Sequence, residues 1–335
     1  FTSLSIEDMI AEEEMVLTIT HNGYIKRTSL STYRSQRRGG RGVQGASSRE
    51  EDFVEHLFVA NTHSYILFFT DKGKCYWVKV YDIPEGGRAA KGRAIVNLIG
   101  CEPDEKVSAF ISVKEFNEDH YVVMATEKGM VKKTKLSAYS NPRKKGIYAV
   151  EIREGDKLIE ARVSTGDNDI LLGTRNGKSI RFSEEQIRAS GRKTMGVKGI
   201  TLSSEDDRLV GMLLIKREGT VLVATEKGFG KRTEISQYRA QKRGGKGVLT
   251  MKTTDKVGKM VTIKEVVDKD DLMIITNQGV LIRLPVAQIR SIGRATQGVK
   301  LIKLGEGTLV SSITRIMSEE EEDENNNTEP TDLKE

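Results

Sequence analysis

The sequence is poor in the residues that usually announce chemistry, with two cysteines, four histidines and one tryptophan among 335 residues. Cys75 and Cys101 stand singly in apolar stretches without CxxC or Cys/His spacing, which argues against zinc or a disulfide framework and fits a reducing cytoplasm. His21, His56, His63 and His120 are scattered, so no metal site is expected, and His21, beside a turn, reads as solvated. The longest apolar runs, Ile66 to Phe69 and Val122 to Ala125, are far too short to span a bilayer, so no membrane segment is expected. Aromatic residues make up 6% and form no interleaved platform on which successive bases of a single strand could stack. The chain opens on Phe1 without an initiator methionine or a charged-then-apolar leader, as expected of a fragment of something longer.

What the sequence does have is unevenly placed charge. The formal net charge is +6, yet residues 318–335 carry nine acidic residues against Lys334 alone. The rest of the chain is therefore at +14. A strongly basic body followed by an acidic, Asn-rich tail is the asymmetry of a polyanion binder with a disordered extension. The tail is expected to compete with the polyanion for the body, or only to aid solubility.

One phrase recurs six times: an apolar strand, Thr, two residues, Gly, and a second strand that usually ends in Lys or Arg. The copies are VLTITHNGYIKR, ILFFTDKGKCYWVK, VVMATEKGMVKK, ILLGTRNGKSIR, VLVATEKGFGKR and MIITNQGVLIR, and their glycines (Gly23, Gly73, Gly129, Gly177, Gly228, Gly279) lie 50, 56, 48, 51 and 51 residues apart. β-branched and aromatic residues flanking Asn-Gly, Lys-Gly or Gln-Gly predict a tight hairpin, because glycine supplies the positive φ such turns need. Weaker strands follow, as at Leu158 to Val163 and Leu209 to Ile215, giving about four strands per repeat. Radial stacking buries both faces of such sheets, so the expected fold is all-β, a six-bladed β-propeller over residues 15–317. Two separate three-repeat domains are the alternative, disfavoured because no linker parts repeats three and four. Residues 1–14 read as a linker from a missing N-terminal region, with a Ser-x-x-Asp start that could cap a short helix.

After each hairpin comes a segment rich in Lys, Arg and Gly. Repeat one offers Arg34, Gln36, Arg37, Arg38, Gly39, Gly40, Arg41 and Gly42; repeat two, Lys91 and Arg93; repeat three, Arg143, Lys144 and Lys145. Repeat four offers Arg192, Lys193 and Lys198; repeat five, Arg239, Gln241, Lys242, Arg243 and Lys246; repeat six, Arg294 and Lys300. Recurrence in register predicts a ring of cations suited to a duplex phosphate backbone, since Arg presents a planar fork and glycine lets backbone N–H groups approach the same anion. Lys26, Arg27, Lys132, Lys133, Arg181, Lys231, Arg232 and Arg283, just past the hairpin turns, extend the expected DNA-contact set. Repeat two breaks the pattern with Cys75, Tyr76, Trp77 and Val78, so its outer strand should contribute less, and Tyr76 and Trp77 are expected to pack between blades.

The heptapeptide QRRGGRG at Gln36 to Gly42 matches the GyrA box, and the chain as far as Ile316 resembles the C-terminal domain of bacterial DNA gyrase A subunits. That resemblance implies a pinwheel in which neighbouring blades exchange strands. It implies duplex DNA wrapped around the perimeter without sequence specificity, so that the enzyme introduces negative supercoils. It further implies an ATP-dependent type IIA topoisomerase whose catalytic tyrosine lies in the missing N-terminal region. Partners would be DNA and, in an A2B2 complex, the B subunit together with the rest of the gyrase A chain. The location would be the bacterial cytoplasm at the nucleoid, with the isolated domain monomeric and free of cofactors. QKRGGKG at Gln241 to Gly247 fits the motif nearly as well, leaving open which loop dominates. Topoisomerase IV A subunits share the propeller but have a degenerate box and often fewer blades.

Two other functions fit less well. A protein-interaction propeller of the WD40 kind lacks its Trp-Asp marks, since Trp77 is the only tryptophan. An enzyme in the propeller channel would need paired carboxylates or a Ser/His/Asp grouping at repeated positions, and none recurs. Tyr33 and Tyr238, just before the two best loops, read as packing residues.

Overall fold

The computed structural model describes residues 5–37, 48–49, 52–87, 89–216 and 219–317. Each recurring phrase folds as an antiparallel hairpin, the third being Tyr121–Thr126 with Met130–Lys135. The recurring Thr and Gly of the phrase have separate tasks. The glycine N–H donates to the threonine carbonyl oxygen at 2.9 to 3.1 Å in all six turns. In five of them the threonine hydroxyl also accepts the first N–H of the second strand, as Thr126 does from Met130 at 3.2 Å. The glycines sit at φ between 74° and 89°, the left-handed region a side chain resists.

Six four-stranded sheets result, and they are six blades of a propeller. In blade three the inner strand is Leu158–Ser164 of the same repeat, but the outer strand, Val197–Lys198, comes from repeat four. The same exchange holds throughout: Arg93–Ala94 completes blade one, Ile147–Tyr148 blade two, Val248–Leu249 blade four and Val299–Lys300 blade five. Blade six is completed by Ser48–Arg49 of repeat one, which closes the ring. The last inner strand, Val310–Met317, also packs on the first, Val54–Asn61. The repeats thus make one ring, with strand exchange between neighbours, rather than two three-repeat units.

The core lies between sheets. At the junction of blades two and three, Leu67, Phe69 and Ile111 pack against Val122, Met124 and Tyr139, all buried. Each such aliphatic or aromatic side chain contributes about 1.5–3 kcal/mol on leaving water. The Ser-x-x-Asp lead-in forms a single 3-10 turn, Glu7–Met9, in which Ser5 and Asp8 cap each other reciprocally through backbone N–H groups at 3.0 and 3.3 Å.

Candidate nucleic-acid interface

Each second hairpin strand is followed by a short helical segment, and in repeats two to six the chain then runs as a loop toward the outer strand of the preceding blade. A glycine lets each described loop close against that blade. Gly196, at φ 81°, would place a Cβ 2.2 Å from the Val131 carbonyl oxygen, and Gly247, at φ 75°, 2.2 Å from that of Ser179. The loops are therefore fixed to the blades rather than loosely tethered.

Most of the cations expected on these loops are exposed. Lys91, Arg93, Arg143, Lys144, Lys145, Lys193, Lys198, Arg239, Lys242, Lys246 and Lys300 all face solvent. Two of them cover aromatic faces: Lys91 lies 4.2 Å from the Tyr24 ring centroid and Lys300 5.9 Å from that of Phe229. A half-buried arginine bridges neighbouring loops in three repeats. Arg192 donates to the Tyr148 carbonyl oxygen at 3.3 Å, Arg243 to that of Lys198 at 2.7 Å, and Arg294 to that of Leu249. Gln241 is also half-buried, with its backbone N–H on the Arg181 carbonyl oxygen at 2.7 Å.

In repeat one, the helix Leu30–Arg37 carries Arg34, Gln36 and Arg37 on its backbone path. Arg38, Gly39, Gly40, Arg41 and Gly42 lie outside the described residues, as does the acidic tail from residue 318.

The cations just past the turns are placed otherwise than their sequence position suggests: they point into the molecule. In repeats one to five the fourth residue after the hairpin glycine reaches the helical turn of the next blade. Arg27 donates to the Ile83 carbonyl oxygen at 2.6 Å, Arg181 to that of Tyr238 at 3.1 Å, and Arg232 to that of Val286 at 3.4 Å. Lys133 pairs with Glu184 at 3.4 Å. Arg181, Arg232 and Arg283 are further held by Asp169, Asp268 and Asp271 at 2.7 to 2.9 Å.

Trp77 occupies this position in repeat two, and its indole N–H donates to the Tyr139 carbonyl oxygen at 2.8 Å. The apparent break in the pattern is one donor replaced by another. Tyr76 is buried, with its hydroxyl on Glu105 at 2.9 Å, so both aromatic side chains pack between blades. Lys132 and Lys231 are 1% and 0% exposed, and Lys26 is half-buried; their ammonium groups sit among backbone carbonyls. Burial pushes the Lys132 ammonium down to about 7 and that of Lys231 to about 8.

Two rim cations escaped sequence reading. Arg188 and Arg290 are exposed, each four residues before the loop arginine (Arg192 or Arg294), the spacing at which Arg239 precedes Arg243. Aligning the repeats on that pair of arginines would have found them. Tyr238 is 1% exposed, with its hydroxyl on Thr250, and is a packing residue as expected. His21, expected in solvent, instead stacks on Phe53 with ring centroids 5.1 Å apart and contacts Glu55 at 3.2 Å. No helix among the described residues is long and apolar enough to cross a membrane.

A family model described as DNA gyrase C-terminal domain, beta-propeller, matches this chain six times, at residues 14–61, 64–114, 120–165, 168–216, 219–266 and 270–316. Each match spans one repeat, that is, three strands of one blade and the outer strand of the blade before it. The DNA gyrase A protein of Staphylococcus aureus (strain COL) is 48% identical over 332 residues, covering 98% of this chain and 37% of the relative. That of Staphylococcus epidermidis (strain ATCC 12228 / FDA PCI 1200) is 48% identical over 321 residues, covering 95% of this chain and 36% of the relative. The chain thus spans little more than a third of the relatives it matches. Among solved structures, the C-terminal domain of a DNA topoisomerase IV superposes with TM-score 0.82 at 26% identity, covering 93% of this chain and 95% of its own. A DNA gyrase A C-terminal domain superposes at 0.69 and 23% identity, covering 91% and 100%, a likeness of fold.

Proposed function

Since the chain belongs to the DNA gyrase C-terminal β-propeller family, we propose that it binds duplex DNA on its rim and wraps it, so that the enzyme introduces negative supercoils. The observation that carries this reading is the exposed cations at one recurring point of repeats two to six, held there by loops that glycine lets close on the sheet. A wrap needs distributed charge. Bending about 40 base pairs through half a turn costs roughly 10 kcal/mol by elastic scaling. Phosphate contacts spread over several blades can offset that, with a log–log salt slope of about −0.9 per phosphate neutralised. Backbone contacts of this kind carry little sequence preference.

In this reading the chain is a non-catalytic part of a type IIA topoisomerase whose strand-cleaving tyrosine lies elsewhere. Its partners in an A2B2 complex are the B subunit, together with the rest of the gyrase A chain, in the bacterial cytoplasm. Residues 36–42 serve as the GyrA box. The fold likeness to a topoisomerase IV domain is high, yet 48% identity to gyrase A over nearly the whole chain favours gyrase.

The test is to bind the chain to nicked circular DNA, ligate, and measure the linking number. A shift of one sign is expected, lost when Arg37, Arg38 and Arg41 become Ala and reduced when Arg143, Lys144 and Lys145 do. Binding without any shift would leave affinity but remove wrapping.

A further inference from the structure

Two positions alternate around the ring with a period of two blades. The third residue after each hairpin glycine is Lys26, Tyr76, Lys132, Ile180, Lys231 and Ile282 in turn. The tenth is Tyr33, Ile83, Tyr139, Ile187, Tyr238 and Ile289. Lysine with tyrosine therefore marks blades one, three and five, and an apolar or aromatic residue with isoleucine marks the others.

The lysines all do the same thing. Each sends its ammonium group into the loop contributed by the following repeat, where backbone carbonyls surround it. Lys26 donates to Gly87 and Ala90, both at 2.9 Å. Lys132 donates to Arg192 at 2.6 Å, and to Ala149 at 2.6 Å. Lys231 donates to Gly293 and Thr296 at 3.0 Å, to the Thr296 hydroxyl at 3.1 Å, and to Arg294. The three loops share a form, Gly-Arg-x-x-x-Gly, at residues 87–92, 191–196 and 293–298. In the last two, the threonine hydroxyl (Thr194 or Thr296) also closes on the first glycine's carbonyl oxygen at 2.9 and 3.0 Å. Gly92 and Gly196 bring the loop backbone down onto the lysine stems, since a Cβ there would lie 3.2 and 2.9 Å from the lysine Cβ.

Among the described residues, the loops of repeats three and five have no such ammonium beneath them. Ile180 lies under Gly245, 3.7 Å from where its Cβ would be, and the Tyr76 ring lies under Gly146. Their cations, Arg143, Lys144 and Lys145 in one loop and Lys242 and Lys246 in the other, are exposed.

Converging carbonyls near a polyanion are electrostatically unfavourable, because their partial charge repels phosphate. A lysine donating its N–H groups among them satisfies those carbonyls and fixes the loop shape together. Lys132 and Lys231, buried in this way, cannot themselves reach a phosphate. We propose that Lys26, Lys132 and Lys231 are positioning residues that hold the loops of repeats two, four and six in the shape that meets DNA phosphates. From repeat two to repeat six the rim then alternates latched and unlatched loops. This rests on the DNA-wrapping reading for its consequence but not for the latch itself.

Amide hydrogen exchange on the whole chain without DNA tests the latch. In Lys132→Met, exchange across residues 191–196 should rise at least tenfold while that across 141–146 stays as it was. Lys26→Met, at a half-buried site, is the milder second variant, read at residues 87–92, and Trp77 emission verifies that each variant is folded. Duplex binding is then measured across a salt series. Lys144→Ala with Lys145→Ala should leave exchange at 191–196 alone and lower the salt slope by about two phosphates' worth, roughly 1.8. Lys132→Met should weaken binding several-fold. Unchanged loop exchange in both lysine variants overturns the latch. Faster exchange with unchanged DNA affinity overturns its role in DNA contact. Failure of the unaltered chain to bind duplex DNA would count against the wrapping reading instead, with the exchange result standing on its own.

Discussion

Five junctions between blades are built alike, and the sixth is not. From blade one to blade six each neighbouring pair shares a cluster of buried apolar side chains. Among the described residues no such cluster joins blade six to blade one. Val16, Ile275 and Leu281 are buried there, but a cavity of about 520 Å³ lined by Phe53, Phe58, Met273, Arg283 and Arg315 runs along the inner side of the seam and on to Phe110 and Ile111 of blade two. The seam is thus closed by backbone pairing of Ser48–Arg49 and by packing of the two inner strands, without the shared apolar cluster that backs the other five junctions. The difference teaches that closing the ring and stabilising it are separable.

The largest contrast should come from truncating one apolar side chain on each side of this comparison. Phe69 is fully buried between blades two and three, edge-on to Tyr139 with centroids 5.8 Å apart. Phe69→Ala should cost about 3–5 kcal/mol in a denaturant titration. Met273→Ala, on the seam cavity, should cost under about 1 kcal/mol. Equal costs would mean that the seam is packed as tightly as the rest.

A smaller contrast separates a glycine that lets a loop cross a junction from one that only turns a hairpin. Gly247 at φ 75° lies against the Ser179 carbonyl, whereas Gly23 at φ 84° has nothing within 4 Å of its would-be Cβ. Gly247→Ala should lower stability by about 2–3 kcal/mol and Gly23→Ala by about 1 kcal/mol. Thermal unfolding of the two variants checks the order, and a reversal would show that exchange across the junction is easily deformed.

Acid should sharpen the comparison most gently. Glu55 lies on the inner strand at the seam. Desolvation works against its ionised form, yet hydrogen bonds from His21 and from Thr314 of blade six, with His56 nearby, hold its carboxyl down at about 2. Its ionised form is therefore preferred in the folded ring, so its contribution is complete above about pH 4.5 and is lost as pH falls toward 2. X-ray scattering should detect expansion of the ring over that window before Trp77, in the packed junction of blades two and three, changes its emission. Glu55→Gln should remove the early step. Simultaneous change of both signals would erase the distinction.

The hairpins were legible in the sequence because Thr-x-x-Gly performs its function locally, within one turn. The loops were legible because Lys, Arg and Gly recur in register. The direction of the post-turn cations was not. Arg27, Lys133, Arg181 and Arg232 bind carbonyls or a carboxylate some 50 residues away, and nothing in strand periodicity separates a cation facing solvent from one facing the next blade's helical turn. Trp77 shows the same limit from the other side, since an indole N–H and a guanidinium share a role that composition hides. The outer strands are two residues long, too short for any pattern, so strand exchange was expected from family resemblance rather than read from residues.

Because each sheet is finished by the repeat that follows it, every repeat offers the same vacancy and the same filler. Removing or adding an internal repeat would leave complementary ends, and the first repeat could still complete whichever sheet came last. Chain length barely penalises this. Joining Ser48 to Leu281 spans about two more doublings of loop length than joining neighbours, or roughly 1 kcal/mol of closure entropy. Strand pairing and chain length thus set no particular number of blades, and that number is left to the packing between neighbouring sheets.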